Sequence, residues 1–240
     1  MTTLFISDLH LEAARPDIGD QFLEFLATEA LDAEALYILG DLFESWIGDD
    51  DPNAHYADMK SAVRSLVDRG VPVYFMHGNR DFMIGAGFAE ETGVTLLQDP
   101  CVVDLYGEKV LLSHGDAWCT DDLQYQQIRT MTRDPEWQAM MLQKPLAERQ
   151  AIAAAARAES IQHGKTIDMA ISDVNADAVN ESIAEHDIVT ILHGHTHRPA
   201  VHSFDVDGKK ATRIVLGDWY EHGSVVRWDE NGPVLAEIER

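Results

Sequence analysis

The run Ile191-Leu192-His193-Gly194-His195-Thr196-His197-Arg198-Pro199 sets the tightest limit on what this chain can fold into. Ile188, Val189, Ile191 and Leu192 are β-formers that lead straight into three histidines spaced two apart, and Gly194 lets the backbone turn between the first two. The segment reads as a buried strand delivering imidazoles to its tip. Two rings at i and i+2 on an extended loop can face one cavity, and imidazole is the commonest nitrogen ligand of transition metals. Taken alone, the run also suits an ordinary His-rich surface loop, so its meaning depends on what the rest of the chain brings beside it.

Four other apolar runs end the same way. Leu4-Phe5-Ile6 runs into Ser7-Asp8-Leu9-His10, Ala35 to Leu39 into Gly40-Asp41, Val71 to Met76 into His77-Gly78-Asn79-Arg80-Asp81, and Lys109 to Ser113 into His114-Gly115-Asp116. Helical spacing of Phe22, Phe25, Leu26 and Ala30 predicts a helix over residues 20–31, and a second over about 55–69 closes at Gly70. The resulting βαβαβ order predicts a parallel or mixed sheet with its site at the strand C-termini. Residues 95–97, 101–106 and 109–113 look like a second set of strands, and 213–217, 223–228 and 234–238 like the last ones, with a helix over 180–186. From about 121 to 172 strands vanish and good helix formers fill 146–161, which predicts a helical insertion between two strand tips within one domain spanning 1–240.

Composition narrows the partners. A 240-residue chain can bury one substantial core. Its formal net charge of -24 argues against binding a phosphate backbone, so no nucleic-acid partner is expected, and against electrostatic attraction to an anionic membrane. The excess of acids matches the solvated surface of salt-adapted proteins. Cys101 and Cys119 make no disulfide framework, which points to a reducing compartment. Met1-Thr2-Thr3 runs into Leu4-Phe5-Ile6 with no basic leader segment, and no stretch has the length of a membrane span, so the chain is expected neither to be exported nor to cross a bilayer.

Collected in order, the strand tips supply Asp8, His10, Asp41, Asn79, His114, His195 and His197 from five loops. Mixed carboxylate, imidazole and amide ligands suit manganese, iron or zinc, and seven exceed what one tetrahedral ion needs. Two ions sharing a bridging carboxylate follow, at a spacing of about 3.5–4 Å that lets a metal pair clamp a phosphoryl group during in-line attack. His193, His77 and Asp116 fit better as supports than as ligands.

Asp-x-His, Gly-Asp, Gly-Asn, His-Gly-Asp and Gly-His-Thr-His in this order resemble the calcineurin-like metallophosphoesterase superfamily. The resemblance implies an α/β fold, a four-layer αββα sandwich of two mixed sheets with a helical lid insertion. It assigns Asp8, His10, Asp41 and His197 to one metal and Asp41, Asn79, His114 and His195 to the other, with Asp41 as the bridge. Most of that superfamily has a histidine after Gly-Asn, serving as general acid, where this chain has Arg80. An arginine keeps its proton at any working pH, so the leaving group should need none, as in a phosphoanhydride.

The longer runs Tyr37 to Asp50, His77 to Phe82 and His193 to Pro199 are similar to enzymes that split the diphosphate of UDP-2,3-diacylglucosamine in lipid A biosynthesis. That narrower resemblance implies two Mn2+ ions and attack of water on the α-phosphate, giving UMP and 2,3-diacylglucosamine 1-phosphate. Asp41, Asn79, Arg80 and His114 would carry the chemistry. Asn79, Arg80, Asp122, Ser160 and His195 would contact substrate, with Lys165 in place of the family's usual lysine, which would fall on Ile167. The insertion would be a lid, with Trp137, Met140, Met141, Leu142, Leu146 and Ile152 available to line an acyl pocket. The protein would act as a monomer, peripherally on the cytoplasmic face of the inner membrane. The alternatives are a broader phosphodiesterase or nucleotide pyrophosphatase on soluble substrates, and a binding scaffold without catalysis.

Overall fold

The computed structural model describes residues 2–166, 171 and 173–239, the side chains of 164–166 excepted. The strands β1 (Thr2–Ile6), β2 (Ala33–Ile38), β3 (Val73–Met76) and β4 (Thr95–Leu97) pair in parallel, and β10 (Gly223–Asp229) and β11 (Gly232–Ile238) add to β1 antiparallel, giving the order β11-β10-β1-β2-β3-β4. The second sheet runs β5-β6-β7-β9-β8, from β5 (Cys101–Leu105), β6 (Glu108–Ser113), β7 (Thr190–His193), β8 (Ala200–Val206) and β9 (Lys209–Val215). There β6, β7 and β9 are parallel, and the two edge strands antiparallel.

Strands apolar on both faces must be covered on both, and period two decides which residue goes where. Phe5, Tyr37, Val110, Leu112, Leu192 and Ile214 point between the sheets and form one core. Their neighbours Leu4, Ile6, Leu36 and Ile38 face the other way, against α1 (Pro16–Ala27), α2 (Ala57–Asp68) and α3 (Ala86–Thr92). Leu111 and Ile191 pack on Val179 and Ile183 of α7 (Ala176–His186). The result is four layers, αββα. Between β6 and α7 run α4 (Leu123–Thr132), α5 (Pro135–Leu142) and α6 (Leu146–Thr166).

Several elements differ from expectation: α7 begins at Ala176 rather than 180, and β9 spans Lys209–Val215 rather than 213–217. The first helix begins at Pro16, where a fixed φ and a missing N–H suit the first helical position, and ends at Ala27, with a 3-10 turn over Glu29–Asp32. The strand β8 has no counterpart in the apolar pattern, because it is a sheet edge with Val201, His202 and Ser203 exposed. It joins β9 through Asp207-Gly208, both at positive φ, a two-residue hairpin turn.

Candidate metal centre

Parallel strands end on the same side, so the C-terminal tips of β1, β2 and β3 in one sheet meet those of β6 and β7 in the other. Asp8 and His10 follow β1, Asp41 follows β2, Asn79 follows β3, His114 follows β6, and His195 and His197 follow β7. Asp8, His10, Asp41, His195 and His197 sit at φ of 57°, 51°, 52°, 67° and 54°. A side chain in this left-handed region costs about 1–3 kcal/mol, and such strain persists only where surrounding contacts over-determine the backbone. Here Asp8 N–H donates to Gly40 O at 3.1 Å, His10 N–H to Asp41 O at 3.0 Å, and Gly194 N–H to His114 O at 3.0 Å.

The loops approach closely enough to require glycine. A Cβ on Gly78 would stand 2.0 Å from Asp41 Oδ1, and one on Gly194 would stand 2.3 Å from Asp8 Oδ2. Asp81, fully buried, ties the Gly-Asp and Gly-Asn loops together by accepting from the N–H groups of Leu42 and Gly78, each at 2.8 Å, and of Asp41 at 3.3 Å. Burial, then the neighbouring Asp41 charge, pushes Asp81 up to about 7, and the N–H groups of Gly78 and Phe43 pull against the rise.

Ring tautomers decide what the tips present. His10 Nδ1 lies 2.9 Å from Glu44 Oε2, and His197 Nδ1 lies 3.2 Å from Asp218 Oδ2. With Nδ1–H of each neutral ring donating to its carboxylate, both Nε2 atoms present lone pairs, and these face each other at 3.2 Å. Asp8 Oδ1, buried and without a hydrogen-bond partner, is 3.3 Å from His197 Nε2. Asp8 Oδ2 is occupied by Ser7 Oγ at 2.6 Å and His195 N–H at 2.9 Å. Lone pairs converging in a buried space repel unless a cation lies among them. The same demand appears in protonation: burial opposes it, but Asp8 and Asp218 outweigh burial and push His197 up to about 10, while the histidines hold Asp8 well below the usual carboxylate range.

A second set adjoins the first. His114 Nδ1 donates to Leu39 O at 2.9 Å, turning its Nε2 toward Asn79 Oδ1 at 3.1 Å, and His195 Nδ1 is 2.9 Å from the same oxygen. Turned over, the amide would instead donate to both rings and to Asp41 Oδ2, so the oxygen-inward orientation is the one that suits a cation. Asp41 Oδ2 lies 3.8 Å from His10 Nε2 and 3.7 Å from His114 Nε2, between the two sets. Asp8, His10 and His197 on one side, and Asp8, Asp41 and His114 on the other, each bring ligand atoms within 4.8 Å of one another. The chemistry and convergence of these donors fit divalent metal ions.

His193 and His77 stand apart from the donors. His193 is fully buried beside Gly194 O, and burial pushes it down to about 3, while His77 bonds Ile84 O. Asp116 is bound by Tyr125 Oη at 2.7 Å and by Arg129 and Arg133. Glu44 and Asp218, which orient two of the imidazoles, are not visible as site residues in the sequence reading. A signal for Asp218 exists: the apolar end of β9 runs into Gly217-Asp218, the same pattern that marks Asp41.

A cavity of about 570 Å³ opens beside the donors. Asn79, Arg80, Tyr125, Arg157 and Ser160 form its polar part, and Trp46, Phe82, Trp137, Met141 and Ile152 part of its apolar wall. Arg80 N–H donates to Asp41 Oδ1 at 2.7 Å, and its guanidinium to Ser160 Oγ at 3.1 Å. Asp122 stands one side chain back: it caps α4 by accepting from Tyr125 N–H and holds His163, which lines the cavity, at 2.7 Å. Met140 and Leu142 do not point inward and are 50% and 46% exposed. The side chain of Lys165 lies outside the described residues.

Known proteins resemble this chain over most of its length. The calcineurin-like phosphoesterase family matches residues 1–199. A protein of Stenotrophomonas maltophilia named UDP-2,3-diacylglucosamine hydrolase is 52% identical, with 100% of both chains covered. Proteins of that name from Aeromonas hydrophila and Xanthomonas campestris are 52% and 49% identical, over 94% and 99% of both chains respectively. Among solved structures, an archaeal phosphodiesterase aligns over 99% of both chains at 13% identity, with a TM-score of 0.49. A match running from the first strand to the last histidine loop, with half the residues shared with full-length relatives, shows that the chain belongs to the calcineurin-like phosphoesterase family.

Proposed function

We propose that this chain hydrolyses the diphosphate of UDP-2,3-diacylglucosamine, releasing UMP and 2,3-diacylglucosamine 1-phosphate by attack of water on the α-phosphate. The observation that carries this reading is that one cavity joins a polar end, with Arg80 beside the metal donors, to an apolar wall of tryptophan, phenylalanine and methionine. A diphosphate with two acyl chains needs both. The relatives' shared name points to the same substrate.

Asp8, His10, Asp41 and His197 would hold one Mn2+ ion, and Asp41, Asn79, His114 and His195 a second. Ions there would supply Lewis acidity toward a phosphoryl oxygen and make water nucleophilic at neutral pH. The rest is the work of the side chains. Asp41 is oriented by the Arg80 N–H on Oδ1, which leaves Oδ2 for the shared position. Arg80, always charged, balances negative charge on the diphosphate and never has to give up a proton, since a departing phosphate is already a stable anion. His195 and Ser160 hold the polar end of the substrate, with Asp122 acting through His163. The helices α4, α5 and α6 act as a lid that excludes water and receives the acyl chains; of the rest of the insertion, 167–172, all but Ile171 lies outside the described residues. Apolar side chains left exposed on α4 and α5, Leu123 at 71% and Met140 at 50%, support peripheral attachment of the monomer to the cytoplasmic face of the inner membrane through apolar contact.

The test is UMP release from detergent-dispersed UDP-2,3-diacylglucosamine by metal-stripped protein, with and without Mn2+, beside unacylated UDP-sugars. Manganese-dependent release from the acylated substrate alone is expected. Equal cleavage of the soluble sugars would favour a broad nucleotide pyrophosphatase, and no release from either would remove the reading.

A further inference from the structure

The helix α6 is tied to the sheet loops and to the start of α4 by polar contacts along its length. Arg149 binds Asp50 and Ile47 O, Arg157 pairs with Glu44, Ser160 accepts from Arg80, and His163 binds Asp122. The Arg157 contact differs in where it ends. Glu44 is a single carboxylate with two duties: Oε2 accepts the hydrogen bond of His10 Nδ1–H at 2.9 Å, and Oε1 forms the ion pair with Arg157. Glu44 is only 12% exposed; its His10 contact is shielded from bulk water, with His10 4% exposed, while its Arg157 contact is partly wet, with Arg157 37% exposed. Both oxygens stand on one rigid plane, so a shift of Arg157 that drags one oxygen rotates the other away from His10.

We propose that Glu44 is a positioning residue that couples the seating of α6 to metal affinity at Asp8, His10 and His197. With α6 seated, Arg157 fixes the carboxylate, the carboxylate fixes the His10 tautomer, and Nε2 is held toward the facing donors. With α6 lifted, His10 loses that constraint and the donor set loosens. The coupling is reciprocal, because a metal that binds better when the helix is seated must favour seating by the same factor. The inference rests on the metal reading under Proposed function, not on the identity of the substrate.

The experiment measures Mn2+ binding by calorimetry to the metal-stripped full chain, and hydrogen exchange of residues 146–163 with and without Mn2+. Wild type, Glu44→Ala and Arg157→Ala are compared. In wild type, Mn2+ should slow exchange of α6. Glu44→Ala should weaken Mn2+ binding by about 10- to 100-fold, as loss of an outer-shell partner does, and abolish the metal's effect on α6. Arg157→Ala, at a side chain 37% exposed, should weaken binding by about 5-fold or more, within the usual range of coupling between sites. Unchanged Mn2+ affinity in Arg157→Ala, or exchange of α6 in wild type indifferent to Mn2+, would overturn the coupling and leave the metal site standing. Failure of wild type to bind Mn2+ would overturn both.

Discussion

Arg80 shows how one residue separates reaction classes. It follows Asn79 directly, its N–H is fixed on Asp41 and its guanidinium on Ser160, so its position is set by the loop after β2 and by α6. Arg80→His replaces a permanent charge with a group that can give up a proton. Losing charge-assisted hydrogen bonds worth about 1.5–3 kcal/mol should lower kcat/KM on the diphosphate by roughly 10- to 100-fold, with phosphomonoester cleavage rising above background. Unchanged steady-state kinetics would exclude a role for Arg80 on the diphosphate. Gly78→Ala tests the closeness of the loops. Its Cβ would enter the space of Asp41 Oδ1, at 2.0 Å, so the chain must move Asp41 or the loop. Mn2+ binding by calorimetry should fall at least as far as in His10→Ala, while the far-UV spectrum stays unchanged. Binding at wild-type strength would mean that Asp41 lies elsewhere. The ligands on these tips were legible because each follows an apolar strand within a few residues, a purely local pattern. Glu44 was not, because it is one of 42 acids and only the parallel pairing of β1 with β2 brings it to His10.

Elements were legible in proportion to how one-sided their surroundings are. The buried strands of both sheets are nearly continuous apolar runs because both faces are covered, and those runs stand out. The edge strand β8 alternates weakly and faces water, so pairing with β9 through the Asp207-Gly208 turn, not hydrophobicity, makes it a strand. In α5, Met140, Met141 and Leu142 are consecutive, and consecutive residues on a helix cannot share a face. The sequence supplied the apolar residues, but only the packing selects Met141, 8% exposed, over its neighbours. The N-terminal end of α6 rests on Arg149, whose side chain is 2% exposed and bonded to Ile47 O, Asp50 and Lys144 O. Arg149→Ala strips donors from these acceptors and leaves a hole in the wall of the cavity. Asp50 is 59% exposed and can be rehydrated, so the loss is that of a net hydrogen bond, about 0.5–1.5 kcal/mol; backbone exchange over residues 146–152 should accelerate by roughly 2- to 10-fold, and the thermal midpoint should drop. Exchange at the wild-type rate would show that the helix is held mainly by its apolar side.

At the scale of the whole molecule, 42 acids against 18 lysines and arginines give a net charge of -24. Ion pairs relieve only part of this: Arg227 with Glu29 and Arg15 with Asp17 are at or near the surface, where such pairs contribute about 0–1 kcal/mol each. The remaining acids repel one another in the compact state more than in the expanded one, a cost that falls with screening. Raising KCl from 0.1 M to 1 M shortens the screening length from about 10 Å to about 3 Å, and that reaches neighbouring charges on a surface this dense. Salt also weakens the exposed ion pairs, so the two effects oppose each other, and the numbers decide: 24 uncompensated charges outweigh a few pairs of small worth. The thermal midpoint, measured with chelator present so that bound metal plays no part, should rise with KCl. At this chain length about 1 kcal/mol corresponds to roughly 2–4 °C, so a rise of several degrees is expected. Chloride is the informative anion, because sulfate would strengthen apolar burial in any protein and raise the midpoint for a different reason. A midpoint flat or falling in KCl would mean that the acids are spaced widely enough not to repel, and the salt-adapted reading of the composition would have to be given up.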